Sequence, residues 1–310
     1  MASQHQHSTS IHRLYAASWG LVFYTLVIIA WGAWVRISGS GDGCGDHWPL
    51  CHGQAVPLGA PIKTWIEVSH RYSTMIFGLL VLAQIVWVRR ICSVENGARC
   101  WALYTLFFTI TEALIGRSLV KEGLVTDSQS LIRVVIMPLH LINTSLLLLS
   151  QVMTAESIIF GHRQRATLSR AAKRWSMAIG LSLLVLLTSG AIAALGSHLA
   201  PSQSILEGLL SDLHHQSPAA VRLRIAHPIL GLSIPILIWS AISFLPTKAS
   251  TGALGKMYQR LGFAVLIMVA VGIATLVSLS PTWLKLAHLT MANILVVMSA
   301  RCLFHTLRPK

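Results

Sequence analysis

The sequence predicts an all-α polytopic membrane protein. Its eight transmembrane helices form two pseudo-twofold related four-helix bundles, with both termini cytoplasmic. Three observations carry this reading. Of the 310 residues, 54% are apolar and only 11% are charged, where a soluble domain averages roughly 25% charged. Eight apolar segments are each long enough to cross ~30 Å of hydrocarbon. Features of the first four segments return in the last four at a near-constant spacing.

In chain order the segments run Ala16–Ile37, Trp65–Val88, Cys100–Leu119, Val134–Met153, Met177–Leu195, Ile225–Phe244, Leu261–Leu279 and Trp283–Phe304. The first follows a short polar lead with His12 and Arg13. It is too long for a signal-peptide core and lacks a small-residue cleavage site, so it is expected to remain as a span.

Lys and Arg concentrate on the cytoplasmic side of a membrane protein. Fifteen of the 24 bases, from Arg13 through Arg89, Arg170 and Arg260 to Lys310, fall on one side, with only Glu95 and Glu156 as acids. That side is read as cytoplasmic, in a bacterial plasma membrane. The net charge of +14 is then a topology signal, and no nucleic-acid partner is expected.

The repeat is legible residue by residue. Gly32-Ala33 returns as Gly190-Ala191, Gly39-Ser40 as Gly196-Ser197, His70 as His227 and Gly116 as Gly272, at offsets of 156 to 158, while His140 returns as His288 at 148. The chain divides into an N-terminal half (1–160), a basic cytoplasmic linker (161–176) and a C-terminal half (177–310). Four helices per half is an even number, so both halves run the same way, as in parallel repeats.

The long outer loops are Ser38–Thr64, Val120–Arg133 and Gly196–Arg224. The first holds Cys44 and Cys51 with His47 and His52 between and beside them. Facing an oxidising compartment, the cysteines suit a disulfide; a metal site and free thiols are the alternatives. In the third loop Ile205, Leu206, Leu209, Leu210 and Leu213 share one helical face, which fits a helix lying at the membrane interface or an ordinary packed loop helix.

His70, His140, His227 and His288 each sit a few residues inside the start of an apolar helix, and those helices all run in one direction. Ionisable groups inside a membrane are rare and usually functional. Paired imidazoles in a helical bundle suit haem iron held from both sides; zinc or copper is the metal alternative. Glu67 lies three residues before His70 and shares its helix face. It either serves chemistry beside His70 or pairs with Arg71 or Lys63. Its repeat partner is Arg224, so the second half carries a base where the first carries an acid. Arg36, Arg71 and Arg224 are candidate cofactor-binding residues, since guanidinium matches the geometry of a haem propionate.

At these residues the chain resembles the haem A synthases of bacteria and mitochondria, over most of its length. The stretches that carry the likeness are GSGDGCGDHWPLCHG at Gly39–Gly53, IEVSHR at Ile66–Arg71, His140 with LINT after it, RLRIAHP at Arg222–Pro228 and Ala287-His288. The resemblance implies an oxidoreductase that converts haem O to haem A, oxidising a ring methyl to a formyl group by successive hydroxylations. It implies haem b between His227 and His288, a substrate site at His70 and His140, Glu67 as the catalytic residue, and Cys44 and Cys51 as a disulfide or electron-passing pair. Some relatives carry a second cysteine pair in the C-terminal outer loop; Ser197–Val221 has none.

No flavin or nicotinamide fingerprint is present, so a separate redox partner is expected. The haem O-forming farnesyltransferase is a candidate partner, because haem O is insoluble, and haem O itself would enter from membrane lipid. A di-haem electron-transfer cytochrome explains the histidines but not Glu67. A transporter would want broken helices at mid-membrane.

Overall fold

In a computed structural model, residues 2–125, 128, 130–161, 170–243 and 253–307 are described. Residues 162–169, most of the basic linker, lie outside them, as does the end of the sixth predicted span at Phe244. The described residues form ten helices: α1 (Ala2–Ile37), α2 (Ile62–Ile91), α3 (Ala98–Lys121), α4 (Leu131–Phe160), α5 (Arg170–Leu199), α6 (Ile205–Leu213), α7 (Ala219–Leu223), α8 (Ala226–Ser243), α9 (Ala253–Val277) and α10 (Thr282–Leu307). They contain eight stretches long and apolar enough to cross a membrane, as the sequence predicts. The helices outrun the apolar segments. At 30 residues, α2 and α4 are each ~45 Å long, enough to pass through the headgroup layers as well as the hydrocarbon.

Local chemistry sets the helix ends. After α1, Gly39 takes φ +62°, a conformation glycine adopts without a steric penalty. Pro61 precedes α2 and blocks helix on its N-terminal side. The Asn96 side chain accepts from the Ala98 N–H at the start of α3. At α6, Ser204 accepts from the Glu207 N–H while Glu207 accepts from the Gln203 N–H, a reciprocal cap of the first turn.

The sixth predicted span corresponds to α8; a short helix, α7, stands just before it, with Arg224 and Ile225 between the two. Pro228 has no N–H to give the Arg224 carbonyl. That carbonyl instead accepts from His227 N–H at 3.2 Å, a tighter turn immediately before the histidine.

The described helices pack as two compact units. The first takes in the described residues of Met1–Arg117, Asn143–Thr167 and Val296–Lys310; the second takes in those of Ser118–Ile142 and Leu168–Leu295. In the first unit, Leu21, Ile28, Phe77, Val81, Ile85, Ala102 and Leu147 form one apolar core. Val22, Leu148, Val152 and Ala300 join α1, α4 and α10 in another. Polar bonds cross between helices there: Gln84 donates to Ser18 and Gln151 donates to Thr25. Lipid tails are as apolar as leucine, so close packing and such bonds hold membrane helices together. In the second unit, α5 packs against α7 and α8, and α8 against α9.

Candidate functional site

The second unit brings His227 of α8 and His288 of α10 face to edge, with ring centroids 6.1 Å apart at 79°. Two imidazole nitrogens each ~2 Å from one ion would put their rings ~6 Å apart. Ser189 of α5 stands 3.0 Å from His227 Nδ1. Its hydroxyl proton goes to the Leu186 carbonyl at 2.8 Å, so toward the imidazole it accepts, from Nδ1–H. That bond fixes the tautomer and leaves the Nε2 lone pair for a ligand. His288 has its Nδ1 buried with no hydrogen-bond partner among the described residues.

The donor set discriminates between metals. Among the described residues no three His, Cys, Asp or Glu side chains gather as a metal cage. A zinc or copper ion wants three or four protein ligands. An iron that brings four nitrogens in its porphyrin needs two, and two opposed histidines fit it.

Glycine makes room for each ring. A Cβ on Gly190 would stand 3.1 Å from His227 Cε1, and one on Gly272 3.0 Å from His288 Cε1. Within the first unit the same packing recurs, with Gly32 3.0 Å from His70 Cε1 on that measure. Gly32 with His70 and Gly190 with His227 are repeat-equivalent pairs, and these glycines admit an imidazole; Gly116, the repeat counterpart of Gly272, has nothing within 4 Å. Gly190→Val should displace His227 and lower the haem content of the purified protein. Gly231→Val, at a position with nothing within 4 Å, should leave it unchanged; haem per protein by pyridine haemochrome is the check. His140 lies in the second unit and His70 in the first.

In the first unit, α2 grips the cysteine loop. Cys44 and Cys51 form a disulfide, both fully buried. Of the three states open for these cysteines, the disulfide is the one present. It takes both thiols, and the His52 ring bonds the Gly43 carbonyl at 2.8 Å. Glu67 is 3% exposed. One carboxylate oxygen accepts from the Cys44 N–H at 2.9 Å and the other from Arg71. Arg71 also donates to the His47 and Leu50 carbonyls at 2.6 and 2.8 Å, and Thr64 donates to the Gly43 carbonyl at 2.7 Å. Glu67 therefore has the ion-pair partner that burial in a membrane demands, one turn further along its own helix.

Arg224 does comparable work in the second unit. It pairs with Asp212 of α6 at 2.5 Å. It donates to the Ala200 and Gly208 carbonyls at 2.8 and 3.0 Å, and to the Ser202 and Ser211 hydroxyls. Burial raises the Asp212 carboxyl above its ordinary pKa, with Arg224 pulling the other way. The guanidiniums of Arg71 and Arg224, read from sequence as cofactor contacts, thus bind the segments between α1 and α2 and between α5 and α7. Arg36 stands in the last turn of α1. On α6 the apolar face points out: Ile205, Leu206, Leu209, Leu210 and Leu213 are all exposed.

Ser189 was not legible as a site component, and two carboxylates, Glu112 and Glu156, have partners that the sequence did not show. Ser189 is next to the repeated glycine, and that adjacency was the available signal. Glu112 of α3 accepts from Asn143 at 2.5 Å and from Thr144, and Asn143 accepts from Thr111 at 2.7 Å. Glu156, counted from sequence as a cytoplasmic acid, is fully buried. It accepts from Arg301 at 2.8 Å and bonds His305 at 2.9 Å, with Arg301 5.4 Å over the Trp19 ring.

Comparison with known proteins gives these residues a context. A protein of Thermus thermophilus called protohaem IX farnesyltransferase is 34% identical over 283 residues, covering 90% of this chain. The chain spans only 46% of that protein's length. The haem A synthase of Shouchella clausii is 40% identical over 98 residues, 32% of this chain and 33% of the relative. The haem A synthase of an Exiguobacterium species is 28% identical over 167 residues, covering 54% of this chain and 52% of the relative. Residues 15–300 match the family described as COX15-CtaA, cytochrome oxidase assembly protein, and the chain belongs to it, the family of the haem A synthases.

Proposed function

We propose that this chain is a haem A synthase, a membrane oxidoreductase that oxidises a ring methyl of haem O to a formyl group through successive hydroxylations. The observation that carries the reading is the His227–His288 pair, opposed at 6.1 Å with the tautomer of His227 set by Ser189. It supports a resident haem b held by these two side chains. Haem iron supplies the redox chemistry that hydroxylation of a methyl group requires and side chains lack.

The chain's own residues have distinct tasks in this reading. His70 and His140 hold the substrate, haem O. Gly32 keeps the His70 ring in place. Glu67 serves the reacting methyl as a base or by stabilising developing positive charge. Its anchor on the Cys44 N–H couples it to the disulfide loop, which keeps water from the site. Arg36 meets a propionate, and Arg71 and Arg224 order the loops that cover the two haems. The termini are read as cytoplasmic and the sites as facing the outer side of the bacterial plasma membrane. The exposed leucines of α6 rest in the lipid interface.

Haem O synthase, the protohaem farnesyltransferase, is the proposed partner. The Thermus relative bears that name and is matched over 46% of its length. We read its remaining length as the transferase, joined in one chain to a part like this one. Electrons pass to or from a separate redox protein.

Co-expression with a haem O-forming farnesyltransferase, in cells lacking haem A, tests the reading. Haem A or its hydroxymethyl precursor is expected among the extracted haems by mass. Haem O and haem B alone, where a known synthase makes haem A in the same cells, would refute it and favour the di-haem cytochrome.

A further inference from the structure

Glu67 and Arg224 stand 157 residues apart with opposite charges, yet each grips the loop that leads into its own histidine helix. Glu67 takes the Cys44 N–H. Arg224 takes the Ala200 and Gly208 carbonyls, two serines and Asp212. Glycine lets the backbone come close at both helix starts. A Cβ on Gly43 would stand 2.8 Å from the Lys63 carbonyl oxygen, and one on Gly196 would stand 2.5 Å from that of Ala220. Lys63 and Ala220 are also 157 apart.

The difference lies in the fastening. The first loop is closed by the Cys44–Cys51 disulfide; Ser197–Val221 contains no cysteine. The second helix start also needs fixing more, because α7 and α8 are broken at Arg224 and Ile225. Continuous helix therefore does not hold the turn that leads into His227. Asp212 and the Arg224 side chain are only 9% and 11% exposed. Removing one member of a buried pair strands the other's charge, and Arg224 would then turn away from the loop carbonyls.

We propose that the Asp212–Arg224 pair is a latch replacing a covalent fastening, and that Asp212 is a positioning residue for the haem between His227 and His288. The proposal rests on the haem reading above. Through Arg224 the latch fixes the broken turn, and through the turn it fixes the direction of the His227 ring.

The test compares purified wild type with Asp212→Asn, Asp212→Leu and Asp212→Glu. Low-spin EPR g-values, haem transfer to apomyoglobin and the thermal midpoint are measured. A wild type without a low-spin bis-imidazole signal defeats the haem reading itself. With that signal present, the Asn and Leu variants should release haem roughly 10- to 100-fold faster, the range for loss of a group that orients a metal ligand. Their g-values should shift, and Asp212→Glu should recover both. Unchanged g-values and release in the Asn variant overturn the latch. So does a lowered thermal midpoint with unchanged g-values, which marks a merely structural pair. If the Leu variant does not fold, the near-isosteric Asn variant decides.

Discussion

Glu67→Gln is expected to yield a folded, haem-loaded protein that forms no measurable haem A. Glutamine keeps an oxygen for the Cys44 N–H, which the carboxylate now holds at 2.9 Å, and it stays close in size. It loses the charge that Arg71 pairs with and the capacity to take a proton. General-base or charge-stabilising roles are worth roughly 10²- to 10⁴-fold in rate, so product should fall at least that far in co-expressing cells. Glu67→Ala should behave differently. Both variants deprive Arg71 of its acid, but alanine also removes the oxygen that glutamine keeps, leaving the Cys44 N–H and the guanidinium buried with no acceptor from this residue, a loss of about 3–5 kcal/mol, so folding suffers along with activity. The contrast separates chemistry from architecture. Extracted haems by mass report the first, and detergent-solubilised yield with a thermal midpoint reports the second. Normal haem A yield from Glu67→Gln would make the residue a loop anchor only.

His227→Ala or His288→Ala should abolish the low-spin b-type spectrum in cells that make no haem O. The two rings meet face to edge at 6.1 Å, and a haem iron held by both imidazoles would lose low-spin character if either were withdrawn. Ser189→Ala should be milder, because the imidazole survives and only its tautomer and direction are loosened; second-shell changes typically cost roughly 10- to 100-fold in metal affinity. The graded order, histidine variants beyond the serine variant, is readable in reduced-minus-oxidised difference spectra of purified protein. If both histidine variants keep the wild-type spectrum, the haem is held elsewhere.

Much of this site was legible in the sequence because membranes restrict what a chain can contain. An imidazole or carboxylate in hydrocarbon is costly enough to be informative at a single position, and its recurrence 157 residues later is more so. The glycines were visible as repeats, but their purpose was not. That Gly190 and Gly272 stand beside imidazole rings follows from which helix lies against which. The acid-to-base change between Glu67 and Arg224 was also visible. It suggested a propionate contact at Arg224, whereas the guanidinium binds a loop carboxylate and two loop carbonyls.

Glu156 marks the limit of the loop-charge reading. Placed by sequence among the cytoplasmic bases, it is buried under Arg301 and His305, from a helix some 145 residues further along the chain. Counting charges near helix ends gives the side of the membrane and cannot give depth. The sixth span has a similar lesson: hydropathy reads Ile225–Phe244 as one span, as α8 is, but gives no sign of the short helix α7 and the two-residue turn just before it.

By itself the sequence determined the all-helical class, the eight spans and the histidines, because hydrophobic length and the cost of buried charge are local properties of a chain in lipid. The tertiary structure decided which groups meet: His227 with His288, Ser189 with His227, Asp212 with Arg224, Cys44 with Cys51. Those contacts depend on how helices pack and how loops fold back, and directional hydrogen bonds and ion pairs form only between groups that packing has brought within ~3 Å.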